Sequence, residues 1–161
     1  PEHAFANFLW GMVRLRRGES DLAEDLFMRS IESEREKNAP AFAGLGAVML
    51  EKGRFEPAEK LLRHSLELDN ARIFTWHTLA RLLLATNRTE EAARTLDTVL
   101  AALPEDLEVR ITLIRVLMKQ KKLEEAASLV SDLLEIEDQL QPPILHQLKP
   151  LAAQLTRELS K

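Results

Sequence analysis

One feature limits this chain more than any other: the same chemistry returns about every 34 residues. When Gly18 is aligned with Gly53, Asn87 and Lys121, the sequence falls into four blocks beginning at Ala4, Ala39, Ile73 and Leu107, offset by 35, 34 and 34 residues. An alanine recurs at Ala23, Ala58, Ala92 and Ala126, followed four residues later by Phe27, Leu62, Leu96 and Val130. Earlier in each block stand Trp10, Leu45, Leu79 and Leu113, each followed by Gly11, Gly46, Ala80 and Ile114. A repeat of this length is one supersecondary unit that buries its apolar face only by stacking on neighbours.

The apolar spacing inside each block is helical, and no alternating β-branched run of useful length is present. First helices are expected at 5–17, 39–52, 73–86 and 107–120, and second helices at 21–35, 55–68, 89–102 and 123–137. Glycine and asparagine at the turn between them suit the left-handed residue that ends a helix. Ser20 and Thr89 are expected to cap the helices that follow. The acid pairs Glu90-Glu91 and Glu124-Glu125 suit the positive end of the helix dipole. Close packing of each pair is assigned to Gly11 on Ala23, Gly46 on Ala58 and Ala80 on Ala92. Gly44 falls within a helix and reads as a packing position, not as part of a phosphate loop. After Asp138 the pattern changes. Pro142-Pro143 starts a new helix, and Ile144, Leu148, Leu151, Leu155 and Leu159 form its stripe over about 143–160. Pro150 is expected to kink or split it.

Composition excludes several functions. Lys and Arg number 22 against 26 Asp and Glu, giving a net charge of −4. That charge is spread evenly between the two halves, so there is no electrostatic footprint for nucleic acid. There is no cysteine, which removes disulfides, thiolate nucleophiles and Cys-ligated metals and leaves cytoplasm and periplasm equally open. The longest apolar stretch, Ala41 to Leu50, is too short for membrane insertion. The chain starts at Pro1 without Met and reads as a piece of a longer protein whose targeting segment lies elsewhere. His3, His64, His77 and His146 show no metal-ligand spacing, and His64 reads as solvated surface without a partner. No nucleophile, acid–base pair or phosphate loop is present, so no enzyme activity, cofactor or metal is expected.

Spacing and residues together resemble the tetratricopeptide repeat (TPR). The resemblance rests on Leu45-Gly46, Gly53, Phe55, Ala58 and Leu62 in the second block, and on Trp76, Leu79, Ala80, Ala92, Leu96 and Pro104 in the third. Asn7, Arg14, Ile114, Val99 and Leu133 depart from the family pattern. The resemblance implies an all-α, right-handed superhelix of antiparallel helix pairs. It would form a single domain over 1–161, with repeats at about 4–38, 39–72, 73–106 and 107–140 and a capping helix. It also implies a protein-binding scaffold whose first helices line a concave groove for a peptide or amphipathic helix.

Carried over by repeat position, that groove holds Phe5, Phe8, Met12, Leu15 and Arg16, then Ala43, Ala47, Leu50 and Glu51. Phe74, His77, Arg81 and Leu84 follow, and Ile111, Arg115, Met118 and Lys119 complete it. Apolar at one end and basic at the other, it suits a partner with apolar anchors and acidic residues. Phe5, Phe8 and Met12 could alternatively pack against an upstream repeat. The clamp with which some family members hold a chaperone's C-terminal Glu-Glu-Val-Asp is not expected. Its cationic and amide donors are replaced here by Phe8, Met12, Gly44, Phe74 and Thr78. The setting implied by the resemblance is a bacterial secretion, pilus or envelope-polysaccharide assembly. The alternatives are the non-catalytic region of a larger enzyme and a self-assembling homo-oligomer.

Overall fold

The computed structural model describes residues 2–34 and 38–160, excepting the side chains of residues 2 and 34. Among them are nine α-helices and no strand. They are α1 (Glu2–Arg16), α2 (Ser20–Glu34), α3 (Ala39–Glu51), α4 (Phe55–Leu68), α5 (Ile73–Ala85), α6 (Thr89–Ala102), α7 (Leu107–Lys119), α8 (Leu123–Glu135) and α9 (Pro142–Leu159), with a 3-10 turn at Glu137–Gln139. The expected pairs are present, with ends within three residues of those expected. Residue 35, where the second helix was expected to end, lies outside the described residues. The helices are grouped in two compact units, Pro1–Leu82 and Leu83–Lys161.

The turn inside each pair is built the same way four times. Gly18, Gly53, Asn87 and Lys121 all adopt positive φ, between 61° and 73°. In each case the left-handed residue donates its amide to a carbonyl three residues back, and the next residue donates to one five residues back. Gly18 reaches Leu15 and Glu19 reaches Arg14; Gly53 reaches Leu50 and Arg54 reaches Met49. Asn87 reaches Leu84 and Arg88 reaches Leu83; Lys121 reaches Met118 and Lys122 reaches Leu117, all at 2.8–3.2 Å. This closure satisfies carbonyls that the helix end would otherwise leave bare. The expected caps are replaced. Thr89 is already helical, and the residue before it, Arg88, makes no side-chain cap bond. Ser20 donates its hydroxyl to Glu51 at 3.1 Å. Asn38 and Asp106 cap α3 and α7, accepting from the amides of Ala41 at 3.1 Å and Val109 at 3.0 Å.

In the first unit α1 packs on α2, α2 on α3 and α3 on α4. The core centres on Phe27 and Leu62, both fully buried. Gly11 and Gly44 both face the Phe27 ring, where an added Cβ would collide with it; Gly46 faces Leu62, 2.8 Å from where its Cβ would stand. At Gly11, expected to lie against Ala23, the nearest side chain is Phe27, one turn further along α2, whose ring takes the space that glycine leaves. Polar groups are buried in repeat register too. Ser30 donates to the carbonyl of Ala4 at 2.7 Å, and Ser65 donates to that of Ala39 at 2.8 Å.

In the second unit α7 packs against α6 and α8, and α9 covers both α7 and α8. Ile114, Leu133 and Leu148 are fully buried there, with Val130, Leu140, Ile144 and Leu155 nearly so. The apolar burial of Ile114 and Leu133 accounts for the large side chains where the family pattern has small ones. The acid pairs sit in the first turns of α6 and α8 as expected. The expected split at Pro150 does not occur. α9 runs unbroken through it because Ile144 and Leu148 before the proline and Leu155 after it are all anchored in the same core. The missing amide of an exposed proline is outweighed by that anchoring.

Candidate functional site

Three side chains of α7, Arg115, Met118 and Lys119, stand at i, i+3 and i+4 and so share one helix face. In the second unit this face borders a cleft of about 540 Å³, completed by Leu84, Lys121, Leu123, Leu151, Gln154 and Glu158. Met118, only 8% exposed, lies deepest, and Leu84, Leu123 and Leu151 supply further half-buried apolar wall. The rim is polar. Arg115 donates to the Gln147 side-chain oxygen at 2.9 Å. Lys119 donates to the backbone carbonyl of Leu84 at 3.0 Å. Lys121 stands 3.6 Å from Glu158. Three cations against one carboxylate, two of the cations braced by neutral oxygens, make a positive rim over an apolar floor. An apolar floor under a positive rim can accommodate an apolar side chain with a carboxylate beside it.

Four of the expected groove residues, Leu84, Arg115, Met118 and Lys119, thus meet in one cleft. Ile111, by contrast, is 1% exposed and belongs to the core of that unit. Lys121, Leu151, Gln154 and Glu158 were not among the expected site residues. The signal that could have found the last three is their i, i+3, i+7 spacing on α9, which the proline-interrupted stripe of leucines masks.

In the first unit the expected residues divide by exposure. Phe5 is 62% and Phe74 39% exposed, and Arg81 is exposed as well. Phe8, Met12, Leu50 and His77 are half-buried, and the Phe8 ring lies 6.1 Å from that of Phe27. Leu15, Ala43 and Ala47 are core residues. They are placed away from a partner because α1 and α3 each bury an apolar side against neighbouring helices. Leu9 and Val13, outside the expected set, are exposed in line with Phe5 at four-residue spacing. Among the clamp positions, Thr78 is buried and its hydroxyl donates to the carbonyl of Phe74 at 2.7 Å.

Charge in the first unit gathers at Lys52, whose ammonium donates to both Asp21 and Glu24 at 2.5 Å. The hydrogen bond and charge of Lys52 hold the Asp21 carboxyl below its ordinary range, and the same bonds raise Lys52 above the usual lysine value. His64 is corrected from partnerless surface. It is half-buried, edge-on to Phe42 with ring centres 4.6 Å apart, and 3.4 Å from Glu67. Among the described residues no cluster of His, Asp or Glu could hold a metal ion. No helix there is long and apolar enough to cross a membrane.

Comparison with known proteins agrees with this architecture. Residues 83–149 match the family model described as tetratricopeptide repeat. No curated protein matches the chain in sequence. Among solved structures, that of a thermophilic TPR protein from Thermus thermophilus is 19% identical, with a TM-score of 0.83 over 96% of this chain and 84% of that one. PilF of Pseudomonas aeruginosa is 23% identical, with a TM-score of 0.78 over 98% of this chain and 70% of its own. The second TPR domain of human RPAP3, in complex with the HSP70 peptide SGPTIEEVD, is 20% identical, with a TM-score of 0.62 over 71% of this chain and 95% of that one.

Proposed function

We propose, from the premise that the chain folds as a tetratricopeptide-repeat protein and carries that repeat over residues 83–149, that it is a scaffold holding a partner protein's peptide or amphipathic helix. The observation that carries the reading is the cleft walled by α7 and α9, where Leu84, Met118 and Leu151 lie under Arg115 and Lys119. Its ligand has apolar anchors flanked by acidic residues. The apolar side chains provide affinity through burial, and the carboxylates provide orientation and encounter rate.

The peptide complex of the RPAP3 domain supports peptide capture as a use of this fold. The chaperone-tail clamp is not carried over, because Phe8, Met12, Gly44, Phe74 and Thr78 offer no cation to a terminal carboxylate. Likeness to bacterial structures supports a bacterial secretion, pilus or envelope-polysaccharide setting as part of the proposal.

Panning a random peptide library displayed on phage against the full chain tests this reading. Enriched peptides are expected to combine Leu, Phe or Met with neighbouring Asp or Glu. Lys119→Glu should then weaken them by about tenfold or more, because a rim cation is replaced by a repelling charge. Enrichment indifferent to acidic residues, or affinity unchanged in Lys119→Glu, would refute it.

A further inference from the structure

We propose that a second cleft in the same unit, walled by α6, α7 and α8, receives an arginine side chain of a partner protein. The cleft has a volume of about 410 Å³, and Ala93, Leu113, Leu117 and Leu129 form its apolar floor. Leu117 is 6% exposed and the other three are half-buried. Helical spacing keeps this cleft apart from the one between α7 and α9. Leu113, Leu117 and Gln120 stand at i, i+4 and i+7, on the side of α7 opposite Arg115, Met118 and Lys119. The two clefts share a helix and not a face, so this assignment does not depend on peptide capture at the other.

The polar lining has unmet acceptors. Lys122 stands 4.0 Å from Glu125, so that pair is close to neutral. Asp97, by contrast, is exposed, and among the described residues its carboxylate has no hydrogen bond or ion pair. The Gln120 amide nitrogen donates to Glu90 at 3.1 Å, which fixes which end of the amide is the oxygen. That oxygen, Oε1, is closed off from solvent and has no hydrogen-bond partner. An acceptor left unpaired in a dry place costs stability that an incoming donor restores.

These groups specify the occupant. The apolar floor calls for a hydrocarbon stem, the unpaired carboxylate for a cation and the buried oxygen for a donor. Arginine brings all three on one side chain. Its guanidinium spreads five N–H donors over a flat fork, so one group can serve Asp97 and Gln120 together, and it sheds water more readily than an ammonium. Its methylenes cover the leucines. The volume lies at the low end of the roughly 300–1,000 Å³ range of ligand pockets, which suits one side chain and not a whole helix. Opposite faces of α7 thus select opposite charges.

A titration of the nitrogen-15-labelled full chain, followed by amide shifts, tests the assignment. The probes are N-acetyl-arginine methylamide and its uncharged analogue, N-acetyl-citrulline methylamide. The arginine probe is expected to give saturable shifts at Ala93, Leu117, Gln120 and Leu129, with an affinity at least about tenfold above that of the citrulline probe. Asp97→Asn and Gln120→Leu should each weaken it by about threefold or more. Asp138→Asn, at an exposed carboxylate outside the cleft, should leave it unchanged. Spectra of the free variants show whether the fold is kept; should Gln120→Leu disturb it, Asp97→Asn alone decides. Shifts shared equally by the two probes, shifts scattered over the exposed carboxylates, or an affinity unchanged in Asp97→Asn or in folded Gln120→Leu would overturn the inference.

Discussion

The hydroxyl of Ser65 donates to the backbone carbonyl of Ala39 at 2.8 Å, tying the third turn of α4 to the start of α3 across a fully buried contact. Thr75 stands 3.3 Å from the same hydroxyl. Removing the Ser65 hydroxyl leaves polar neighbours in a dry place. Ser65→Ala is expected to cost about 1–3 kcal/mol, read as a lower urea midpoint at unchanged slope. An unchanged midpoint would show that the bond contributes nothing net.

The four turn residues with positive φ provide a test of backbone chemistry alone. A side chain in the left-handed region costs roughly 1–2 kcal/mol, and glycine avoids that cost while gaining freedom when unfolded. Lys121→Gly, at φ 61°, should therefore stabilise the chain by up to about 1 kcal/mol, whereas Gly53→Val, at φ 70°, should destabilise it by at least as much. Thermal melts of the two variants would check this through shifts of opposite sign.

Gly44 and Phe27 form a fitted pair, since any Cβ at Gly44 meets the ring. Gly44→Ala is expected to cost about 1–3 kcal/mol from overpacking. Shortening the ring in the double variant Gly44→Ala with Phe27→Leu should recover part of that cost. A double-mutant cycle in chemical denaturation would measure the coupling, and additive losses would mean that the two residues do not compete for space.

The Lys52 contact with Asp21 and Glu24 predicts a pH dependence on both flanks. Asp21 titrates below its ordinary value when folded, so its contribution is complete above the unfolded carboxylate value and is lost as pH falls through the folded one. Lys52 titrates above its ordinary value, so its contribution is complete below the unfolded lysine value and is lost as pH rises through the folded one. Lys52→Gln should therefore lose most stability near neutral pH, with wild type and variant converging in acid, below the lowered Asp21 value, and in alkali, above the raised Lys52 value. Urea midpoints across that range would check it. A constant difference would show that the ion pairs are uncoupled from folding.

The helices, their pairing and the packing role of Gly46 were legible because they follow from residues that recur in register, and that of Gly44 because it falls inside a helix. The partner of Gly11 was not, because an axis-to-axis argument cannot tell which of two residues one turn apart on α2 fills the gap. Nor were the caps: Asn38 and Asp106 precede their helices where Ser20 and Thr89 lie inside theirs. Of the site, Arg115, Met118 and Lys119 could be read from one helix face. The wall provided by Leu151, Gln154 and Glu158 depends on how α9 folds back onto α7, which no local pattern encodes. Ala43, Ala47 and Ile111 carry the groove pattern yet are buried, since a repeat position specifies a direction from the helix axis and not the height of its neighbours.

The most direct test of the scaffold reading is an amide chemical-shift map of the full chain titrated with a helical peptide carrying leucines flanked by glutamates. Shifts are expected at Leu84, Arg115, Met118, Lys119, Leu151 and Glu158, and they should disappear when the titration is repeated on Lys119→Glu. Perturbations that avoid α7 and α9, or that persist undiminished in Lys119→Glu, would contradict it.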